Sequence, residues 1–230
     1  AAYLELHIEQ GPVLESLNLP LAAVVGAMGV ERHMIHFKGQ TAHAGSTPMK
    51  MRRDALAAAA RLALEIREIA IRHGGVCTMG SVTTRPGLIT AVAGECDCTL
   101  DQRHLEKTAL AAMLKEAQQI SYKIAEEEQV DVTWKRLYQV EPVFFSQELI
   151  NLCEDAINEV AGKPQSMPSG PLHDAVAIAK AGIPTVMMFV QSLRGLSHTK
   201  EEDTREEDLL LAVRAMDVLT DKIITWIIKQ

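Results

Sequence analysis

Aromatic residues are scarce, at 4% of 230 positions, and positive charge is in deficit, with 23 basic against 30 acidic side chains and a net charge of −7. Nucleic-acid binding needs clustered Lys and Arg against phosphates, and no such stripe occurs, so small molecules are the expected partners. The four cysteines (Cys77, Cys96, Cys98 and Cys153) form no CxxC pair. Cys96 and Cys98 would point to one face of a strand and pack as small hydrophobes, and a reducing cytoplasm suits such thiols. No uncharged apolar run reaches membrane-spanning length and no basic-then-apolar leader is present, so neither a membrane partner nor export is expected. With 47% hydrophobic and 23% charged residues, the chain has the composition of an ordinary globular protein. Its length suffices for one large domain or two small ones.

The middle of the chain alternates regularly. Strands are expected at Val30 to Lys38, Val76 to Arg85, Gly94 to Arg103 and Val130 to Tyr138, with helices at Met51 to His73 and about Leu105 to Glu128. The order β-α-β-β-α-β is the split-βαβ, ferredoxin-like pattern. The flanks offer a strand near Tyr3 to Ile8, a helix at Gln147 to Ala161, a helix starting near Pro171, a buried strand at Thr185 to Val190 and a final helix from Arg205. Thr204 and Glu207 have capping-box spacing for that last helix. Residues 1–26 and 140–230 therefore read as part of an α/β layer domain, and 27–139 as an insertion within it. Two flanking strands are too few for a closed α/β core, so either the chain is truncated or a second polypeptide completes it.

Histidines stand at informative places. His7 lies in an alternating run that breaks at Gly11-Pro12, and His198 follows the apolar run Val186 to Val190 within Gly195-Leu196-Ser197-His198. Two strand-end histidines suggest a metal site, although hydrogen-bonded structural histidines fit the same positions, and no Asp or Glu has HxD or HExxH spacing. His43 sits among small residues in Gly39-Gln40-Thr41-Ala42-His43-Ala44-Gly45-Ser46-Thr47-Pro48-Met49, which leaves an imidazole clear to reach a substrate; a loop with a stray histidine is the plain alternative. His173, in Ser169-Gly170-Pro171-Leu172-His173-Asp174-Ala175, falls in the first turn of a helix, where a neutral ring could donate to an oxyanion. Equally, Asp174 could serve the helix start with His173 exposed. Arg103 ends Leu100-Asp101-Gln102-Arg103 as a possible carboxylate clamp or as the partner of Asp101. His33, His36, His73 and His104 read as surface or strand residues.

Together, His7-Ile8-Glu9-Gln10-Gly11-Pro12, the His43 segment, Leu100-Asp101-Gln102-Arg103, Ser169-Gly170-Pro171-Leu172-His173-Asp174-Ala175 and Gly195-Leu196-Ser197-His198 resemble the hydantoinase/carbamoylase amidases of the M20 metallopeptidase family, in order and over essentially the whole chain. The resemblance implies a catalytic α/β domain with two divalent metals, zinc or manganese, and an inserted ferredoxin-like lid that also makes a homodimer. It implies His7 and His198 as ligands, one to each metal, with Gln10 touching substrate and Arg103 holding the substrate carboxylate. His43 would reach the partner subunit's site, and His173 would steady the carbamoyl oxygen. Where the family usually has Pro-Asn-x-x-Asn, this chain has Pro86-Gly87-Leu88-Ile89-Thr90, so Thr90 replaces a substrate-gripping amide. Leu172 replaces a glycine. The family's aspartate, its Glu-Glu pair and hence its general base belong to a segment upstream of the His7 strand, so the cage in this chain is incomplete. The implied activity is hydrolysis of a linear carbamoyl or ureido C–N bond in a small carboxylated substrate. An aminoacylase or peptidase-like hydrolase and a non-catalytic dimerisation remnant are the alternatives.

Overall fold

A computed structural model describes residues 1–229. Along the chain run β1 (Tyr3–Ile8), α1 (Val13–Leu17), β2 (Leu21–Ala27), β3 (Gly29–Lys38), β4 (Ala42–His43), α2 (Ala55–His73), β5 (Val76–Thr78) and β6 (Val82–Arg85). Then come β7 (Ala91–Val92), β8 (Glu95–His104), α3 (Lys107–Glu127), β9 (Asp131–Val140), β10 (Val143–Phe144), α4 (Gln147–Ala161), β11 (Ser166–Ser169), α5 (Asp174–Lys180), β12 (Thr185–Val190) and α6 (Glu206–Ile228). They form two compact units: residues 1–28 with the chain from Val143 onward, and Gly29–Pro142.

In the first unit the sheet runs β1-β12-β2-β10, with β11 also on β2. β12 is parallel to β1 and antiparallel to β2. All six β12 residues are buried, as a continuous apolar run in a central strand requires. Leu149, Cys153 and Ile157 of α4 and Ala215, Leu219 and Ile223 of α6 share a core with β2 and β12, while α5 packs on β1 and β12. β2 is a strand that the sequence pattern does not announce. Its Leu-Ala-Ala-Val-Val-Gly-Ala run lacks alternation because most of it is buried on both faces.

The second unit is an antiparallel sheet in which β3 lies between β8 and β9, and β5 and β6 take the far edge of β8. Cys96, Cys98, Leu100 and Gln102 of β8 are buried and alternate with Glu95, Asp97, Asp101 and Arg103. Ile35, Phe37, Cys96 and Cys98 share one core with α2 and α3, so both helices cover the same face and the ferredoxin-like order is realised. Asp54 caps α2 by accepting the Leu56 and Ala57 N–H groups, and Gly74 ends it in the left-handed region.

Four expectations need correction. The strand expected over Val76 to Arg85 is broken between Thr78 and Val82, and the helix expected near Pro171 starts at Asp174. The Thr204–Glu207 capping box does not form: α6 has no side-chain cap, the Thr204 N–H goes to Asp203, and the Thr204 hydroxyl is buried without a partner. His33 is no surface residue, being buried with its Nε2 2.9 Å from Glu31.

Candidate active site

In the first unit, polar chemistry gathers beyond the carboxyl ends of the parallel pair β1 and β12. His7, opposite Phe189 in register, places Nδ1 2.7 Å from the Ile8 carbonyl oxygen. A carbonyl only accepts, so the proton is on Nδ1 and Nε2 keeps its lone pair. That is the tautomer of a metal ligand steadied by the backbone. The His173 ring meets it edge-on at 4.4 Å. His173 occupies the position before α5 rather than its first turn, and its side chain is only 3% exposed. Ser169 donates its hydroxyl proton to the Pro171 carbonyl, so its oxygen accepts from His173 Nε2 at 2.8 Å. Burial, reinforced by His7 and opposed by Asp174, pulls the His173 ring down to about 4, so it is neutral. Its other nitrogen faces Glu5 at 3.7 Å. Glu5 in turn accepts from the Tyr3 hydroxyl and the Ala175 N–H. The helix start is thus served by Glu5, from a distant strand.

The two loops that follow β1 and β12 are tied together. Gln10 donates its backbone N–H to the Ser192 hydroxyl and its side-chain amide to the Ser197 hydroxyl, both at 3.0 Å. Ser197 directly precedes His198, so this link brings His198 to the end of the sheet that carries His7. Gln10 (φ 56) and His198 (φ 58) both hold left-handed backbone, which non-glycine residues adopt where surrounding structure imposes it. Gly195 explains how the loops can meet: a Cβ there would lie 2.7–2.8 Å from Pro12 atoms. Beneath them Glu9, 4% exposed, accepts the Val13 and Leu14 N–H groups and so starts α1. Burial pushes its carboxyl up, against the pull of those two donors. His198 itself is exposed and donates its backbone N–H to Glu202 at 2.8 Å.

A zinc site takes three or four ligands. Among the described residues no three His, Cys, Asp or Glu side chains gather to hold a metal ion. The tautomer of His7 fits one ligand of a divalent ion; the donors within this chain do not complete a cage.

In the second unit, β4 and β7 pair His43 with Ala91, and the Thr90 carbonyl accepts the Ala44 N–H at 2.8 Å, so His43 and Thr90 are neighbours. His43 Nδ1 accepts N–H groups from Gly45 (3.0 Å) and Ser46 (3.2 Å). The proton therefore resides on Nε2, and the exposed ring offers a donor. Beside this turn lies a cleft of about 470 Å³ that includes Ala44, Arg52 and Leu88. Arg103 grips Asp101 with Nε at 2.7 Å and Nη2 at 3.1 Å, the pairing that the two-residue spacing allows. Arg32 reaches the same carboxylate from β3 at 2.6 Å. Burial would raise the Asp101 carboxyl, but the two guanidinium groups outweigh it and hold it below the usual range.

Sequence reasoning passes over Glu9, Ser192, Ser197 and Arg32. The Gly11-Pro12 break after Glu9 is a usable signal for a buried helix-starting carboxylate. The two serines and Arg32 act across about 180 and 69 residues of chain, respectively, and no local pattern marks them.

Polar side chains beyond the carboxyl ends of adjacent parallel strands are the arrangement of an α/β protein that takes its ligand at the strand ends. The chain belongs to peptidase family M20/M25/M40, whose family model matches residues 1–222. It is 36% identical over 216 residues to an N-carbamoyl-L-amino acid amidohydrolase of Geobacillus stearothermophilus, covering 94% of this chain and 53% of that protein. An allantoate amidohydrolase of Escherichia coli is 32% identical over 220 residues, with 95% and 53% covered. The crystal structure of an amidase of the hydantoinase/carbamoylase family from Burkholderia multivorans superposes with a TM-score of 0.91 at 32% identity, covering 95% of this chain and 53% of that one. The chain thus spans about half the length of the curated relatives that it matches.

Proposed function

We propose that this chain carries the substrate-gripping side chains and part of the metal site of an amidohydrolase that cleaves a linear C–N bond in an N-carbamoyl amino acid or related ureido acid. The observation that carries the reading is the His7 tautomer, which leaves Nε2 open beyond the end of β1 with Gln10 and Ser197-His198 drawn to the same edge. His7 and His198 each ligate one of two divalent ions, zinc or manganese, whose other ligands come from protein outside these residues. Such ions, when bound, polarise a carbonyl and activate water. Gln10 contacts substrate, and Arg103, with Thr90 in support, holds its carboxylate. His43 presents Nε2–H to the partner subunit's substrate. His173, already neutral, donates its Nε2–H to the carbamoyl oxygen by exchanging Ser169 for it, which costs no proton transfer. Residues 27–139 act as lid and dimerisation domain and the flanking segments as the metal-binding domain. Leu64, Ile71, Val76 and Val82, all at least 48% exposed, support an apolar face for a second copy. Reduced thiols at all four cysteines suit a cytoplasmic location.

The test is made on the protein with its metal site complete. Ammonia release from N-carbamoyl amino acids is expected; amine release from N-acyl substrates alone would move the reading to aminoacylase chemistry. His198→Ala should lower bound metal and abolish turnover, whereas Arg103→Ala should mainly raise KM for carboxylated substrates. Equal kinetics for wild type and Arg103→Ala would refute the clamp.

A further inference from the structure

We propose that Arg32 is a positioning residue that sets the preference for carboxylated substrates, by sharing Asp101 with Arg103 and so leaving Arg103 with net positive charge to offer. The inference rests on the reading of Arg103 as the carboxylate clamp and adds the residue that makes such a clamp electrostatically workable.

Arg103 and Asp101 lie two apart on β8 and form a two-pronged pair, Nε to Oδ1 at 2.7 Å and Nη2 to Oδ2 at 3.1 Å. By itself that pair is neutral. A substrate carboxylate approaching Arg103 would meet the Asp101 carboxylate beside it, and repulsion would cancel most of the attraction. Arg32 changes the balance. It lies opposite Asp101 in register on β3 and donates Nε to Oδ2 at 2.6 Å, so two guanidinium groups bracket one carboxylate and the trio carries a net charge of about +1. Arg32 is held in turn by Tyr138, opposite it on β9, whose ring centre lies 5.4 Å from the guanidinium carbon. The remaining ionic groups on this face of the sheet are satisfied separately, with Arg85 bridging Glu95 and Asp97 and His36 bonded to Asp97. The surplus charge is therefore local to the Arg32–Asp101–Arg103 row. Exposure of 42%, 28% and 24% along that row leaves it accessible to a small anion. A planar guanidinium serves this geometry better than an ammonium, which offers no fixed fork.

The experiment titrates the protein with N-carbamoylglycine and, separately, with its neutral methylamide, following the arginine Nε–H resonances. Wild type should prefer the carboxylate. Arg32→Gln should weaken N-carbamoylglycine on the order of tenfold, the equivalent of one charge-assisted contact, and leave the methylamide unchanged. Arg32→Lys should fall between the two. Arg32→Gln combined with Asp101→Asn should recover the carboxylate preference, because it removes the charge that Arg32 balances; a merely structural role would not be rescued in this way. Equal weakening of both probes, an unaffected Arg32→Gln protein, or failure of the double variant to recover would overturn the proposal. Arg103→Gln separates the two readings. If it abolishes the preference while Arg32→Gln does not, the clamp stands and the role of Arg32 falls; if wild type shows no preference for the carboxylate, both fall.

Discussion

Replacing His173 by glutamine should make the first unit less sensitive to acid. The His173 ring is 3% exposed and held at about 4 instead of the ordinary 6.5. Above pH 6.5 the ring is neutral in folded and unfolded chains alike, and its packing against His7 and Phe189 is fully available. As pH falls below 6.5 the unfolded chain takes up a proton that the folded one refuses until about pH 4, so stability is lost across that window. The whole shift corresponds to about 3 kcal/mol, of which about 2 kcal/mol is lost by pH 5. Glutamine retains a donor for the Ser169 hydroxyl and cannot titrate. Urea unfolding followed through Trp226, with Trp134→Phe silencing the second unit, should show the gap between wild type and His173→Gln shrinking or reversing by about 2 kcal/mol between pH 7.5 and pH 5. A gap that stays constant over this range would refute the account of a buried neutral imidazole.

Asp54→Ala removes two hydrogen bonds at the start of α2 and should cost about 1 kcal/mol, read as a lower urea midpoint of the second unit. Thr204→Val replaces a buried hydroxyl that has no partner and should be neutral or stabilising by up to about 1 kcal/mol in the same measurement, whereas a capping role would make it destabilising. Gly195→Ala forces a Cβ to within 2.7–2.8 Å of Pro12 at a residue with φ 61, so it should destabilise by about 1–3 kcal/mol and loosen the Gln10–Ser197 link, seen as faster amide exchange at Gln10.

Periodicity makes the second unit legible. Its strands alternate because only one face is covered, so the spacing of Cys96, Cys98 and Leu100 alone tells which side of β8 they occupy. The first unit is half hidden. β12 is recognisable as a bounded apolar run, but β2, nearly as buried, is rich in alanine and runs through Met28 almost directly into β3, so one long apolar stretch conceals two strands. Among candidate residues, His7, His43 and His173 stand out from their neighbours, but nothing in the chain order says which nitrogen carries the proton. That is decided by the Ile8 carbonyl, the Gly45 and Ser46 N–H groups and the Ser169 hydroxyl. Spacing allows Arg103 to pair with Asp101, yet the second arginine on that carboxylate arrives from another strand and leaves no trace in local spacing.

The pairing of Val30 with Val140 has a consequence for how the molecule assembles. Every strand in the first 28 residues must find partners made more than a hundred residues later, a closure that a flexible chain would oppose. Because the Gly29–Pro142 unit returns its own exit beside its own entrance, a tether of roughly 110 residues behaves as one of a few, which cuts the entropic penalty by about 3 kcal/mol. The inserted unit should therefore acquire structure first, during synthesis, and act as a clasp on which the surrounding sheet is later built.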